Sequence, residues 1–212
     1  NPETTVLGRE AVQLVLRYRQ VSKLASTYCK ALVEAADKDQ RVHGSFNPWG
    51  TGTGRFSSSA PNLQNIPSSR TNEGDIIRKA FRAQDGYKLI VADYSQIELR
   101  VMAHLSGDEV MNGIYQDAGD IHQMTADACG CTRFEAKAIN FGLMYGQGSG
   151  RLADTLGCSI DEAKELIRQY FAAFPKITKY FKSAIREASE LEYCTTILGR
   201  RRQVPGLNSN IS

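Results

Sequence analysis

The sequence contains no long hydrophobic run and no secretion pattern. No stretch of 18 or more apolar residues occurs among the 212 residues, so we expect no membrane-spanning helix. The first residue is Asn1 rather than Met, and no signal-peptide pattern follows it, so we expect a cut or processed start. Internal repeats and long linkers are also missing. With 42% apolar residues, the chain has enough hydrophobic material for one large domain or two small ones.

Cysteines are few and scattered. Only Cys129 and Cys131 lie close together, and no second pair follows at the spacing of metal ligands. A zinc site is therefore the weaker interpretation. Buried or incidental thiols in a reducing compartment are the better one, which predicts a cytoplasmic protein.

The charges are unevenly distributed along the chain. Residues 1–85 carry 12 basic and 8 acidic side chains, residues 86–130 carry 2 and 7, and residues 131–212 carry 12 and 8. An acidic middle between basic flanks would suit a metal site beside phosphate-binding surfaces. Chance variation among surface charges is the alternative, and charge alone favours it.

Periodicity predicts a largely helical chain with a loop-rich segment. Residues 9–36 have helical spacing, whereas residues 44–75 are rich in Gly, Ser, Asn and Pro and predict loops and short strands. Residues 88–92 form a short apolar run that predicts a strand ending at Asp93. A further helix is expected over residues 176–190, after Pro175.

Three capping-box patterns predict helix starts. Ser95 with Glu98 predicts a helix from Gln96 to about His104. The same pattern occurs at Thr132 with Glu135 and at Ser159 with Glu162, which predicts helices beginning near Arg133 and Ile160. We therefore expect the chain after residue 95 to be mostly helical.

Asp93 is a candidate metal ligand because it follows the predicted strand, where a loop would expose it. Mg²⁺ takes oxygen ligands and commonly bridges one or two carboxylates to substrate phosphates. Spacing alone favours a turn or capping role for a single Asp at such a place.

The helix that begins near Arg133 carries a stripe of cationic and then aromatic residues. Arg133, Lys137, Phe141 and Tyr145 are spaced four apart, so they form one slowly twisting stripe. Helix N-termini attract anions through their free N–H groups and the helix dipole. A triphosphate at the cationic end and a base against the rings would fit. The alternative, slightly favoured without further context, is an amphipathic helix with core aromatics and solvated cations.

Five ordered motifs resemble those of the family A, or DNA polymerase I-like, enzymes. The motifs are DYSQIELR at 93–100, Arg133-x₃-Lys137-x₃-Phe141-Gly-x₂-Tyr145-Gly, TGRFSS at 53–58 with PNLQNIP at 61–67, DIH at 120–122, and LGRRR at 198–202. Together they cover nearly the whole chain. The spacing before Arg133 is short, which resembles some phage members.

The resemblance implies a role for each motif residue around the nucleotide. Asp93 would be one of two carboxylates that bind a pair of Mg²⁺ ions, with the Tyr94 carbonyl as a neighbouring ligand. His122, Arg133 and Lys137 would contact the triphosphate of the incoming dNTP, and Gln96 would lie in the same site. Glu98 would lie under the sugar and exclude a 2′-hydroxyl. Phe141 would stack near the sugar and base, and Phe in place of Tyr implies discrimination against nucleotides that lack a 3′-hydroxyl.

The resemblance also implies contacts to primer-template DNA. Tyr145 would stack near the template position. Arg55, Gln64 and Asn65 would bond to minor-groove acceptors shared by all base pairs, which tests pair geometry without reading sequence. The alternative for Gln64 and Asn65 is a turn ahead of Pro67. The residues expected to touch the phosphate backbone are Lys23, Arg200 and Arg201; for Lys23, a solvated helix face is the alternative.

The third motif of the family, a His-Asp-Glu that carries the second metal-binding Asp, does not occur. We therefore expect weak Mg²⁺ binding and no primer extension by this chain alone. A truncated product and one subunit of a split polymerase, completed by a second chain, both remain open. Two rival functions are a relative of single-subunit RNA polymerases or reverse transcriptases, which Glu98 disfavours, and a non-catalytic nucleic-acid-binding subunit.

The expected architecture is α+β. Helical fingers would pack on an incomplete antiparallel palm sheet, as in right-hand polymerases. A thumb remnant would span residues 1–43, a partial palm residues 44–104, and the fingers residues 105–212.

Overall fold

A computed structural model describes residues 6–207, which form two compact units with the boundary between Val91 and Ala92. None of the helices within residues 6–207 has the length and apolar composition of a membrane span. The predicted α+β class is confirmed, since helices predominate and the strands form small antiparallel pairs. The three-part division at residues 43 and 104 stays a prediction.

The first unit begins with the predicted long helix. Helix α1 spans Val6–Leu24, a π-helical turn spans Ala25–Lys30, and α2 spans Ala31–Glu34. Two short strands follow, β1 (Ser45–Asn47) and β2 (Ser57–Ser59), which pair antiparallel with Phe46 opposite Ser58. Helix α3 (Asn72–Lys79) starts where the Thr71 side chain accepts a hydrogen bond from the Gly74 N–H. The loop-rich character predicted for residues 44–75 is confirmed up to this helix.

The strand predicted over residues 88–92 does not form, so that prediction is wrong. This segment is irregular, and the side chains of Ile90 and Val91 are 91% and 93% exposed. A strand needs a neighbour to accept and donate its backbone hydrogen bonds. No described segment pairs with residues 88–92. The apolar composition that indicated a strand is present, but the described residues supply no neighbouring strand for it.

The second unit is a helical bundle with one small hairpin. Its core contains Leu99, Ile121, Ile139, Leu152 and Phe174, all buried in one cluster. The helices are α4 (Ile97–Ser106), α5 (Glu109–Gln116), α6 (Ile121–Cys129), α7 (Arg133–Met144), α8 (Ser149–Leu156), α9 (Ile160–Ala173) and α10 (Pro175–Leu191). Strands β3 (Tyr193–Thr195) and β4 (Arg201–Gln203) pair antiparallel after them. The mostly helical prediction for this region, including the helix after Pro175, is confirmed.

Two of the three predicted capping boxes are confirmed. Thr132 and Ser159 each accept from the backbone N–H three residues later, and Glu135 and Glu162 each accept from the cap N–H. The predicted box at Ser95 is wrong. Gln96, with φ of 53°, occupies the cap position of α4 without a side-chain cap.

Candidate functional site

Helix α7 presents the predicted stripe on the side facing away from the core. Its buried side carries Ala136, Ile139 and Leu143, which pack into the bundle. On the other side Arg133 is exposed, Lys137 and Phe141 are half-buried, and Tyr145 follows as an exposed residue just past the helix end. The cations stand in the first half of α7, where the helix dipole adds to their attraction for an anion.

Asp120 joins the starts of two helices. One carboxylate oxygen caps α6 by accepting from the backbone N–H of His122 at 2.9 Å, and the other accepts from Arg133 Nε at 2.6 Å. Partial burial alone would raise the pKa of Asp120, but the Arg133 hydrogen bond and the cap N–H groups hold that pKa below its ordinary value. The carboxylate is therefore ionised at neutral pH, and it fixes the Arg133 guanidinium close to His122.

His122 lies on α6 against α7 and is 3% exposed. Its ring centroid lies 5.9 Å from that of Phe141, and its Nδ1 lies 3.2 Å from the side-chain nitrogen of Asn140. Burial lowers the pKa of His122; Asp120 opposes this effect, and the charges of Arg133 and Lys137 reinforce it. The ring is thus held neutral beside two cations. Sequence-predicted nucleotide contacts from two helices are brought together here.

Glu98 is joined to the far end of the stripe. The Tyr145 hydroxyl donates to the Glu98 carboxylate at 2.6 Å, which links α4 to the C-terminal end of α7. The Glu98 carboxylate thus has a partner 47 residues away, while the cap position of α4 falls on Gln96 rather than on Ser95. The start of α4 is held instead by Arg100, whose Nε donates to the Ser95 carbonyl at 2.9 Å.

The predicted metal ligands lie in an exposed, irregular segment. Asp93 is exposed and Tyr94 is 81% exposed, and Ser95 separates them from Gln96, which has a left-handed backbone. Within residues 6–207, no three His, Cys, Asp or Glu side chains group as metal ligands. The chemistry of Asp93 suits Mg²⁺, which prefers oxygen ligands, but one carboxylate leaves most of an octahedral shell to other donors. The described residues therefore fit one part of a magnesium site.

In the first unit, two predicted DNA contacts share a cleft. The cleft measures about 400 Å³ and is lined by Lys23, Thr27, Tyr28, Pro61, Asn62 and Asn65. The buried Tyr28 hydroxyl donates to the Asn65 carbonyl, which ties the loop to the helical segment. Gln64 donates through Nε2 to the Phe56 carbonyl at 3.1 Å, so its side chain helps to shape this loop. Arg55 is exposed at the other end of the same motif.

Arg200 and Arg201 lie on the β3–β4 hairpin. Both are exposed, and the Arg201 guanidinium lies 4.7 Å from the centre of the Tyr193 ring. A cation held over an aromatic face keeps its charge while losing freedom. Both guanidinium groups are therefore open to solvent.

Sequence reasoning missed two residues of the site as functional candidates. Asp120 was seen within a motif, but its ion pair with Arg133 depends on two helices meeting. Asn140 was not singled out, although a polar residue on the apolar side of a helix is itself a signal. The structure buries Asn140 completely, between His122 and Thr125.

Comparison with known proteins gives consistent results. The model of the family described as DNA polymerase family A matches residues 4–212. The thermostable DNA polymerase I of Thermus filiformis is 45% identical over 210 residues, which cover 94% of this chain and 25% of that protein. DNA polymerase I of Pseudomonas aeruginosa is 43% identical over 210 residues, covering 94% and 23%.

A solved structure is also similar. It is the POL domain of Pol1 from M. smegmatis in complex with DNA primer-template and dNTP. The TM-score is 0.85 at 37% identity, over 93% of this chain and 36% of that chain. The chain thus spans about a quarter of the length of the relatives named above and about a third of this structure.

Proposed function

The chain belongs to DNA polymerase family A, and from this premise we propose that it forms the nucleotide-binding and primer-contacting part of a template-directed DNA polymerase. The whole enzyme would transfer a nucleotide from a dNTP to a primer 3′-hydroxyl. The similarity to a polymerase domain bound to primer-template and dNTP supports this proposal. We expect the enzyme to work in the cytoplasm. The relatives named are bacterial, and a phage origin stays a prediction.

One observation carries the proposal: the cationic first half of α7 lies beside a neutral, buried histidine and an aromatic ring. Arg133 and Lys137 supply fixed positive charge, and Asp120 holds Arg133 in place through a 2.6 Å ion pair. Because His122 lies within 5.9 Å of the Phe141 ring, a nucleotide could place its phosphates at the cationic end and its sugar and base along the rings. Fixed cations aimed at a triphosphate are what phosphoryl transfer requires of a protein.

Asp93 and the Tyr94 carbonyl would contribute ligands to a magnesium pair. Bound metal would neutralise triphosphate charge and activate the primer hydroxyl. The remaining ligands, including the second carboxylate, would come from another polypeptide segment. The exposed apolar run at residues 89–91 favours this arrangement, because Ile90 and Val91 are almost fully exposed and suit an added strand. Whether that segment is in the same chain or in a second one is the difference between a single-chain and a split polymerase.

Glu98 and Phe141 would select the sugar. The Tyr145 hydrogen bond holds the Glu98 carboxylate in one place, which a residue that excludes a 2′-hydroxyl needs. Phe141 has no hydroxyl to replace a missing 3′-hydroxyl of the nucleotide. Gln96 would support the same site from the start of α4.

Each unit carries residues that would contact DNA. Lys23 and Asn65 line the cleft of the first unit, with Gln64 and Arg55 in the same motif, and they would contact the minor groove and backbone near the primer end. Arg200 and Arg201 would contact backbone phosphates, and Tyr145 would stack near the template base. Contacts of this kind do not depend on sequence and weaken as salt rises.

Triphosphate binding by the 212-residue chain tests the proposal. We expect Lys137→Ala to weaken dATP binding roughly tenfold or more in calorimetry, because a hydrogen bond to a charged group is lost. Lys164→Ala is the matched control, since Lys164 is exposed on α9 and pairs only with Asp161 in the described residues. Equal dATP affinity for the wild type and Lys137→Ala would refute the proposed nucleotide site.

Primer extension separates the catalytic function from its rival. We expect no Mg²⁺-dependent extension by the 212-residue chain alone, and extension once the missing palm segment is supplied on a second polypeptide. Sustained extension by the pure chain would contradict the first expectation. Binding of primer-template without extension under any complementation would favour a non-catalytic DNA-binding role.

A further inference from the structure

A buried polar network connects the candidate triphosphate contact His122 to the core side of α7. Asn140 lies wholly buried at the centre of this network. Its side-chain nitrogen lies 2.9 Å from the Ala136 carbonyl oxygen, 2.9 Å from Thr125 Oγ1 and 3.2 Å from His122 Nδ1. A fully buried asparagine has a large desolvation cost, which only specific hydrogen bonds offset.

The contacts of Asn140 determine which way its amide points. The Ala136 carbonyl oxygen can only accept a hydrogen bond, so the Asn140 atom 2.9 Å from it must be the NH₂ group and not the oxygen. The single hydroxyl hydrogen of Thr125 has two acceptors in reach, the Ile121 carbonyl at 2.8 Å and Asn140 Oδ1 at 3.3 Å, and in either case the lone pairs of Thr125 Oγ1 can accept from the Asn140 NH₂ group. Two amide hydrogens thus serve three acceptors, so one hydrogen is shared between two of them.

The same contacts determine the tautomer of His122. A hydrogen on Nδ1 would point at the hydrogens of the Asn140 NH₂ group, so Nδ1 must be the unprotonated acceptor. The remaining ring hydrogen is then on Nε2. Nε2 has no hydrogen-bond partner among the described residues. It is also absent from the side-chain nitrogen and oxygen atoms there that are both fully buried and without a partner. The small exposed part of the ring therefore includes Nε2.

We propose that Asn140 is a positioning residue, which keeps His122 as a neutral ring that offers its Nε2–H to the triphosphate of the incoming nucleotide. The inference rests on the proposed function for the identity of the ligand. In this arrangement His122 donates one hydrogen bond in a fixed direction, while Arg133 and Lys137 supply the positive charge. The charged groups around the ring are Asp120 at the start of α6, and Arg133 and Lys137 on α7; burial and the two cations disfavour an imidazolium, which agrees with the geometry.

Nitrogen NMR of the histidine rings tests the tautomer directly. The chain has only three histidines, and the other two, His43 and His104, are exposed and serve as internal references. In the wild type at neutral pH, we expect His122 to show an unprotonated Nδ1 and a protonated Nε2 in a single tautomer. A protonated Nδ1 in the wild type would overturn the inference, and this measurement needs no variant.

Two variants test the part played by Asn140. Asn140→Asp offers Nδ1 only acceptor oxygens, so we expect Nδ1 to become protonated. Because a carboxylate beside the Ala136 carbonyl oxygen is destabilising, Asn140→Leu is the second variant, and there we expect the two tautomers to exchange and dATP affinity to fall roughly tenfold. Thr125→Val is the matched control, since it leaves the Asn140–His122 contact in place and should keep the wild-type tautomer. An unchanged single tautomer in a folded Asn140→Leu protein would overturn the inference.

Addition of dATP separates this inference from the proposed function. Both are supported if dATP shifts the His122 Nε2 resonance in the wild type and shifts it less in Asn140→Leu. Absence of any dATP-induced shift, with the expected tautomers present, would refute the nucleotide site while supporting the Asn140–His122 arrangement. A merely structural Asn140 would change stability without changing the tautomer.

Discussion

Replacement of Asp108 by Ala should destabilise the second unit more than loss of an ordinary helix cap. Asp108 is 1% exposed, and its two carboxylate oxygens accept from Met111 N–H at 3.1 Å and from Lys176 N–H at 3.0 Å. The carboxylate therefore caps α5 and also holds the start of α10, 68 residues later in the sequence. Loss of the α5 cap costs about 0.5–2 kcal/mol. An orphaned buried N–H adds about 1–3 kcal/mol. We expect Asp108→Ala to lower the free energy of unfolding by roughly 2–4 kcal/mol.

Urea unfolding followed by far-UV circular dichroism measures this change, because the second unit holds most of the helices. The single tryptophan, Trp49, lies in the first unit, so its fluorescence reports separately on a part that should be unaffected. Thr132→Ala is the control, because it removes one exposed cap and should cost only about 1 kcal/mol. The loss of unfolding free energy in Asp108→Asn should lie between the losses in Thr132→Ala and Asp108→Ala. An amide has one acceptor oxygen for one of the two N–H groups, but it places its own NH₂ donor against the other. A loss below that of Thr132→Ala would refute the two-helix cap.

Three further predictions follow from single side chains. Tyr145→Phe removes the hydrogen bond to Glu98. Because Tyr145 is exposed, we expect the free energy of unfolding to fall by less than about 1 kcal/mol. We also expect weaker discrimination against ribonucleotides, measured as the ratio of ATP to dATP affinity, and an unchanged ratio would contradict a positioning role for the hydroxyl. Burial lowers the pKa of His122, so the imidazole binds a proton more readily in the unfolded chain than in the folded one. The free energy of unfolding should therefore fall as the pH drops below about 6.5. Unfolding measured at several pH values should show a weaker dependence of this free energy on pH in His122→Asn. Burial raises the pKa of Cys129 to about 11, whereas Cys29 and Cys194 are exposed. A thiol reagent at neutral pH should therefore modify Cys29 and Cys194 well before Cys129, which mass spectrometry can follow. Equal modification rates would contradict the buried placement of Cys129.

Much of the local structure was predictable from neighbouring residues. The helices after Thr132 and Ser159 begin where their capping boxes indicate, because both members of each box lie within one turn. The stripe of α7 also follows from spacing four apart, since helix geometry alone places those side chains on one side. The family was recognisable because five motifs occur in order.

Predictions failed where the outcome depends on a distant partner. The apolar run at residues 88–92 has strand composition, but no described neighbour completes its hydrogen bonds. Glu98 has the right spacing to cap α4, yet Tyr145, brought close by the packing of α7, binds its carboxylate. In the first case no described strand lies beside the segment, and in the second a residue 47 positions away binds the carboxylate, so neither outcome follows from the local pattern.

The sequence by itself determined the helix periodicity, two of the predicted caps, the order of the family motifs and the residue types of a nucleotide site. The periodicity and the caps depend on residues within a few positions of one another, and the motifs are read directly from the order of the residues. Only the tertiary structure decided that Asp120 holds Arg133, that Asn140 faces His122 and that Asp108 caps two helices. These contacts join residues 13, 18 and 68 positions apart, and packing of the helices against one core brings them together. Their energies depend on burial and on hydrogen-bond geometry, which no linear pattern specifies.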